Sequence, residues 1–167
     1  MDICVIDWRA FTPIIASLIA TGIASSTALY ISRKWSKQKG AEIIADESKQ
    51  VIKDTLEMVK IINYIGSGSS KKDDLKDLDV FKKLFESVVI NTAFIEDSII
   101  DNSLKISFSL FSKKSIPINK MISAQKIEVG DTNLSPLISE FNEAAISLVN
   151  VLNPYSIYRK PCKFKKK

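Results

Sequence analysis

The chain has 167 residues, with 24 Lys and Arg against 19 Asp and Glu, two Cys and no His. The lack of His removes the commonest metal ligand, the usual general base at neutral pH and every Ser-His or Cys-His nucleophile pair. Cys4 and Cys162 are too few for a zinc site or a disulfide framework, so the sequence points away from an enzyme.

Charge is divided unevenly. Residues 40–158 hold 13 Lys and 17 Asp or Glu, a net of −4. The positive excess lies in Arg33, Lys34, Lys37 and Lys39, and in Arg159, Lys160, Lys163, Lys165, Lys166 and Lys167. A nucleic-acid-binding domain spreads basic residues over one face and interleaves aromatics for stacking. That pattern is absent, and no nucleic-acid partner is expected. No small-molecule substrate, cofactor or metal is inferred either.

Residues 1–9 carry Asp2, Asp7 and Arg9, whereas residues 10–32 carry no charge at all. At about 1.5 Å per helical residue the uncharged run is roughly 35 Å long, enough to cross a hydrocarbon core of ~30 Å. Its strongly apolar members are Phe11, Ile14, Ile15, Leu18, Ile19, Ile23, Leu29 and Ile31. Pro13 is expected in the first turn, where its missing N–H costs little. Trp8 and Tyr30 sit where interfacial aromatics belong. A buried helix of a soluble protein rarely runs this long without a charge. A cleaved signal peptide would carry its basic residues on the other side of a shorter apolar stretch. A single transmembrane helix over residues 10–32 is therefore expected. The basic flank 33–39 would keep the C-terminal side in the cytoplasm and leave residues 1–9 outside. Cys4 and Cys162 would then lie on opposite sides of the membrane.

One face of this helix is lined by small residues. Ala16, Ala20, Ala24 and Ala28 recur every four positions, flanked by Ser17, Thr21 and Ser25. Such residues let a second helix approach closely, and their hydroxyls can bond across the contact. Association is expected, with another copy or with a different protein.

Helical periodicity dominates the remainder. Ile44, Val51/Ile52, Thr55/Leu56, Val59, Ile62 and Ile65 form one stripe over residues 38–65, and Glu42, Asp46, Glu47, Lys49, Lys53 and Asp54 supply its wet face. Gly40 is a possible hinge, but no Pro separates this helix from the span, and the two can run on continuously. The Gly-Ser run at 66–70 lacks the Lys-Ser/Thr ending of a phosphate loop and reads as a turn. A second helix is expected over 72–100 on Leu75, Leu78, Phe81, Leu84/Phe85, Val88, Thr92, Phe94/Ile95 and Ile99, broken by Asp101-Asn102-Ser103. The third segment, 104–127, alternates Leu104, Ile106, Phe108 and Leu110 as a strand would, but Leu104, Phe108 and Phe111 also make a helical stripe. Helix is preferred, kinked or broken at Pro117. After a turn around Gly130, Ser135 and Pro136 suit an N-cap and first position. The fourth stripe is Leu137, Phe141, Ala144/Ala145, Leu148 and Val149/Leu152, stopped by Asn153-Pro154.

The expected fold is all-α. One transmembrane helix precedes an antiparallel bundle of about four helices over 33–158, and a basic tail follows at 159–167. Up-and-down topology would return the tail to the membrane the chain started from, where Phe164 could dip into the interface and the cations meet anionic lipid. Cys162 among basic residues also suits lipidation. The closing Lys-Phe-Lys-Lys-Lys suits dilysine retrieval. Carboxylate pairs at helical spacing, Glu42 with Asp46 and Asp97 with Asp101, read as solvated charge.

Trp35-x-x-Gln38-Lys39-x-x-Glu42-x-x-Ala45-x-Glu47-Ser48-Lys49 directly after a single span resembles the juxtamembrane start of uncharacterised single-span membrane proteins of bacteria and their phages. The resemblance covers the span and about fifteen residues and implies a bacterial inner membrane, with no activity to carry over. The expected role is a membrane-anchored interaction or scaffold module at the cytoplasmic face, an accessory of a membrane complex or of a phage–host conflict system. The alternative is a membrane-active effector whose copies assemble a pore lined by Ser17, Thr21, Ser25 and Ser26.

Overall fold

The structure is a computed structural model and describes residues 8–67, 74–123 and 134–165. Four helices account for nearly all of these: α1 (Trp8–Gly66), α2 (Asp74–Ser98), α3 (Asn102–Ser123) and α4 (Leu134–Ser156). Among the described residues there is no strand, only an isolated antiparallel bridge between Ile99 and Phe164. The alternating residues 104–110 are therefore helical. Leu104 is buried and Phe108 half-buried, while Ile106 and Leu110 face outward.

The chain divides into two compact units, Met1–Gly40 and Ala41–Lys167. In the first unit, every described side chain from 13 to 39 is exposed. Apolar residues are no exception: Leu18 is 68% and Ile23 63% exposed. The α1 backbone needs no help from a neighbour there, since each N–H finds the carbonyl four residues back. Pro13 lies in the second turn of α1, one turn later than expected, because the helix begins at Trp8.

The second unit is a bundle. Its part of α1 buries Ile44, Val51, Met58, Ile62 and Ile65 along one stripe. Thr55 takes the buried position and Leu56 remains half exposed. The stripe of α2 is Phe81, Val88, Thr92 and Ile95, that of α3 is Leu104, Phe111, Ile118 and Ile122, and that of α4 is Leu134, Phe141, Ala145, Leu148 and Leu152. Phe141 sits at the centre, its ring centroid 5.9 Å from Phe81 and 5.8 Å from Phe111, in tilted arrangements that suit the aromatic quadrupole.

Cross-helix pairs show the direction of packing. Between α3 and α4, Ser107 bonds Ser147 at 3.1 Å, Phe111 meets Phe141, and Lys114 reaches Glu140 at 2.8 Å. Between α1 and α4, Lys49 lies over the Tyr158 ring, Asn142 donates to Asn63 at 2.9 Å, and a Cβ added to Gly66 would run into Ile138 Cδ1. In both sets one residue number rises as the other falls, so the helices are antiparallel. A larger residue at Gly66 would oblige the Ile138 side chain to move aside.

The expected stop at Asn153-Pro154 needs correction, since α4 passes through Pro154 to Ser156. α3 likewise continues as helix through Pro117 and is not broken there. Both tolerate the ring because the carbonyls four residues earlier belong to Lys113 and Asn150, which are exposed and can bond water. What ends α4 is its capping geometry. Arg159 N–H donates to the Pro154 carbonyl at 2.8 Å, Tyr158 N–H donates to the Tyr155 carbonyl at 3.1 Å, and Tyr158 has φ 57°. This is a Schellman cap with Tyr in the position that usually takes Gly. The expected turn around Gly130 and the end of the third segment near 127 lie outside the described residues.

Because Phe141 contacts two other rings at the centre of the core, Phe141→Ala is expected to lower stability by about 3–5 kcal/mol. Phe94→Ala, on the half-exposed face of α2, is expected to change it by no more than about 0.5 kcal/mol. Chemical denaturation followed by far-UV circular dichroism would compare the two, and similar losses would mean that Phe141 is not the centre of the core.

Candidate functional site

Two regions carry the residues singled out by sequence. The first is the exposed part of α1. Ala16, Ala20, Ala24 and Ala28 follow one another along its surface with Ser17, Thr21 and Ser25 beside them, all exposed. The Thr21 hydroxyl donates to the Ser17 carbonyl at 2.8 Å, Ser26 to Gly22 at 2.8 Å and Thr27 to Ile23 at 2.9 Å. These hydroxyls satisfy themselves on their own helix, as Ser and Thr do where no better partner is near. Arg33, Lys34, Lys37 and Lys39 follow, also exposed.

The second region is the corner between α2 and α3, where the basic tail ends up. Lys163 and Lys165 lie in an extended segment antiparallel to residues 98–100: Ile100 N–H donates to the Lys163 carbonyl at 2.7 Å, and Lys165 N–H donates to the Ser98 carbonyl at 3.1 Å. Phe164 and Cys162 pack, partly buried, against the core. The tail as far as Lys165 is thus a strap on the bundle. Lys166 and Lys167 lie outside the described residues, as does Cys4.

Asp101 organises this corner. From sequence it read as a helix breaker and as half of a solvated pair with Asp97, and both descriptions are incomplete. Its side chain is only 7% exposed. Oδ1 accepts the Ser103 N–H at 3.0 Å, and the Asp101 carbonyl accepts the Lys105 N–H at 3.2 Å, so Asp101 is the N-cap of α3. Oδ2 accepts both the Tyr155 hydroxyl and the Lys160 ammonium at 2.7 Å. One carboxylate thereby joins the start of α3, the end of α4 and the tail. Burial pushes its pKa up, but the hydrogen bonds from Lys160, Tyr155 and the Ser103 N–H pull it down and prevail, leaving it below the ordinary value of 3.8. Burial, then Asp101 itself, pushes the Tyr155 phenol up, so it stays a donor. Burial also raises the Cys162 thiol and disfavours the reactive thiolate. Asp97 stays in solvent, with Lys165 3.7 Å away, an ion pair of little weight.

The Asp-x-Ser step at 101–103 is an N-cap signature that could have identified the capping role from sequence. Nothing local announces Lys160 or Tyr155, which are 59 and 54 residues away. A second correction concerns Asp54, assigned to the wet face of α1. It is 4% exposed and accepts from Gln50 Nε2 and Ser87 Oγ, each at 2.7 Å, which pins α1 to α2. Asp46, by contrast, is exposed and pairs with Lys49 at 3.0 Å. Among the described residues, no group of three or more Asp, Glu or Cys is placed to hold a metal ion.

No protein-family model matches the chain, no curated protein matches it, and no solved structure matches it.

Asp101→Asn keeps the shape and the cap but weakens the charge-assisted bond to Lys160, and is expected to destabilise the bundle by about 1.5–3 kcal/mol at pH 7. A carboxylate whose folded pKa is depressed contributes stability above its ordinary value and loses it as pH falls through the folded one. The difference between wild type and variant should therefore shrink below pH 3.8. Denaturation midpoints of the full chain in detergent, measured from pH 7 to 2.5, would test this, and a pH-independent difference would contradict it.

Proposed function

We propose that the protein is a membrane-anchored helical interaction module, held by the N-terminal part of α1 and presenting its bundle at the cytoplasmic face to a protein partner or to further copies of itself. The observation that supports the reading is the uncharged, outward-facing apolar stretch of α1. Among the described residues one helix, from Pro13 to Gly66, is long and apolar enough to span a membrane, and its apolar stretch has no buried residue. Apolar surface on this scale is costly in water and stable in lipid or against a partner. Trp8, Tyr30 and Trp35 flank the stretch, and the cations at 33–39 favour a cytoplasmic C-terminal side. The juxtamembrane resemblance to bacterial and phage proteins favours a bacterial inner membrane.

The small-residue face supports association within the membrane, since Ala16, Ala20, Ala24 and Ala28 would let a second helix approach closely. A pore is the weaker account. Thr21 and Ser26 bond their own helix carbonyls, and a single modestly polar span needs many copies to enclose water.

Two tests follow. The chain should stay with membranes after alkaline carbonate washing. A reporter active only in the cytoplasm should work when joined after Lys167 through a flexible linker, while one active only outside should not; the opposite pattern would reverse the orientation. For the helix contact, Ala20→Leu or Ala24→Leu should reduce self-association of residues 8–36 in a membrane two-hybrid assay by an amount equivalent to about 1–2 kcal/mol, with Ile19→Leu as the neutral control. Equal signals from wild type, both seam variants and the control would leave the anchor as a tether alone.

A further inference from the structure

We propose that Tyr30, Arg33, Lys34 and Lys37 form a site on α1 for the phosphate of an anionic phospholipid headgroup, resting on the membrane reading above and adding the partner that its basic flank selects. The four residues line one shallow concavity on the helix surface. At about 100° per residue, their positions fall within an arc of roughly 100°. Lys39 is nine residues from Tyr30, hence about 180° away on the opposite face. The cluster is thus a directed stripe.

The chemistry of the stripe suits a phosphate ester. Arg33 offers a planar fork that can hold two phosphate oxygens, Lys34 and Lys37 add point charges, and Tyr30 adds a neutral hydroxyl donor. Among the described residues none of the three cations has an ion-pair partner within the chain, and the sequence has no acid between Asp7 and Glu42. The stripe begins inside the uncharged run, which ends at Ser32, at the depth where a headgroup phosphate meets an emerging helix. In the tail, by contrast, Lys160 is engaged by Asp101 and Lys165 lies beside Asp97.

The full chain, purified in mild detergent, would be mixed with equal amounts of phosphatidylglycerol and phosphatidylcholine, and the retained lipid counted by native mass spectrometry. Wild type should retain phosphatidylglycerol in preference. Arg33→Gln with Lys37→Gln should lower that retention about five- to thirty-fold, while Lys39→Gln should leave it within twofold. Inorganic phosphate at millimolar concentration should not displace the lipid, and displacement would show that a free oxyanion, not a headgroup, is the ligand and would overturn the proposal. Equal retention by wild type and the double variant, or an equal loss in Lys39→Gln, would also overturn it, the latter by showing diffuse charge in place of a site. All these positions are exposed, so helix content by circular dichroism should not change. A chain that resists carbonate washing but shows no dependence on Arg33 and Lys37 would refute this site alone. A chain released by carbonate would refute the membrane reading itself.

Discussion

Four helices, none with an apolar stripe it can bury alone, depend on one another to remove those stripes from water. Each buried Leu, Ile or Phe is worth about 1.5–3 kcal/mol relative to exposure, whereas a hydrogen bond exchanged with water nets about 1 kcal/mol. The stripes therefore dictate that the bundle forms, and the polar contacts decide its details. Phe141 shows the first effect, placed where rings from α2, α3 and α4 converge. Asp54 shows the second. A carboxylate held by Gln50 on its own helix and by Ser87 across the α1–α2 contact adds little net stability, but a shifted register would take away the Ser87 donor and leave the buried group under-satisfied, at a cost of about 1–3 kcal/mol.

The same logic distinguishes the two parts of α1. Residues 44–65 place buried positions every three or four residues with exposed ones between them, as expected of a helix with a core on one side. Residues 13–39 have no buried face at all, and an apolar helix without one needs a second solvent or a partner. An α-helix is one of the few structures that can cross from water into hydrocarbon without leaving its backbone polar groups unsatisfied.

The corner at Asp101 gives the C-terminal tail a structural role that its composition conceals. Six cations in nine residues suggest a solvated or lipid-seeking end. Yet Lys160 meets a carboxylate that is nearly out of water, the backbone of residues 163–165 pairs with residues 98–100, and Phe164 and Cys162 pack against the core. The Schellman cap at Tyr158 redirects the chain from the axis of α4 towards this corner. The ammonium of Lys160 in particular is committed to the bundle through Asp101.

Much of the architecture was legible in the sequence because helical periodicity is a local signal. The stripes of all four helices and the choice of helix for residues 104–110 follow from spacing, charge and the absence of a pairing strand, whereas the same signals leave the continuity of α1 through Gly40 open. The uncharged run and its basic flank are equally local. What tertiary structure alone decided are the features that depend on distant partners or on which side of a helix meets water. Asp54 became buried because Ser87 faces it across the α1–α2 contact. Pro117 and Pro154 fell where the orphaned carbonyls stay wet, so neither ended its helix. Asp101 became the anchor of the tail because antiparallel packing brings the ends of α2 and α4 to one end of the bundle. A local pattern can mark a residue as polar or apolar; which polar group receives a partner across 30 to 60 residues of chain is settled only when the helices pack.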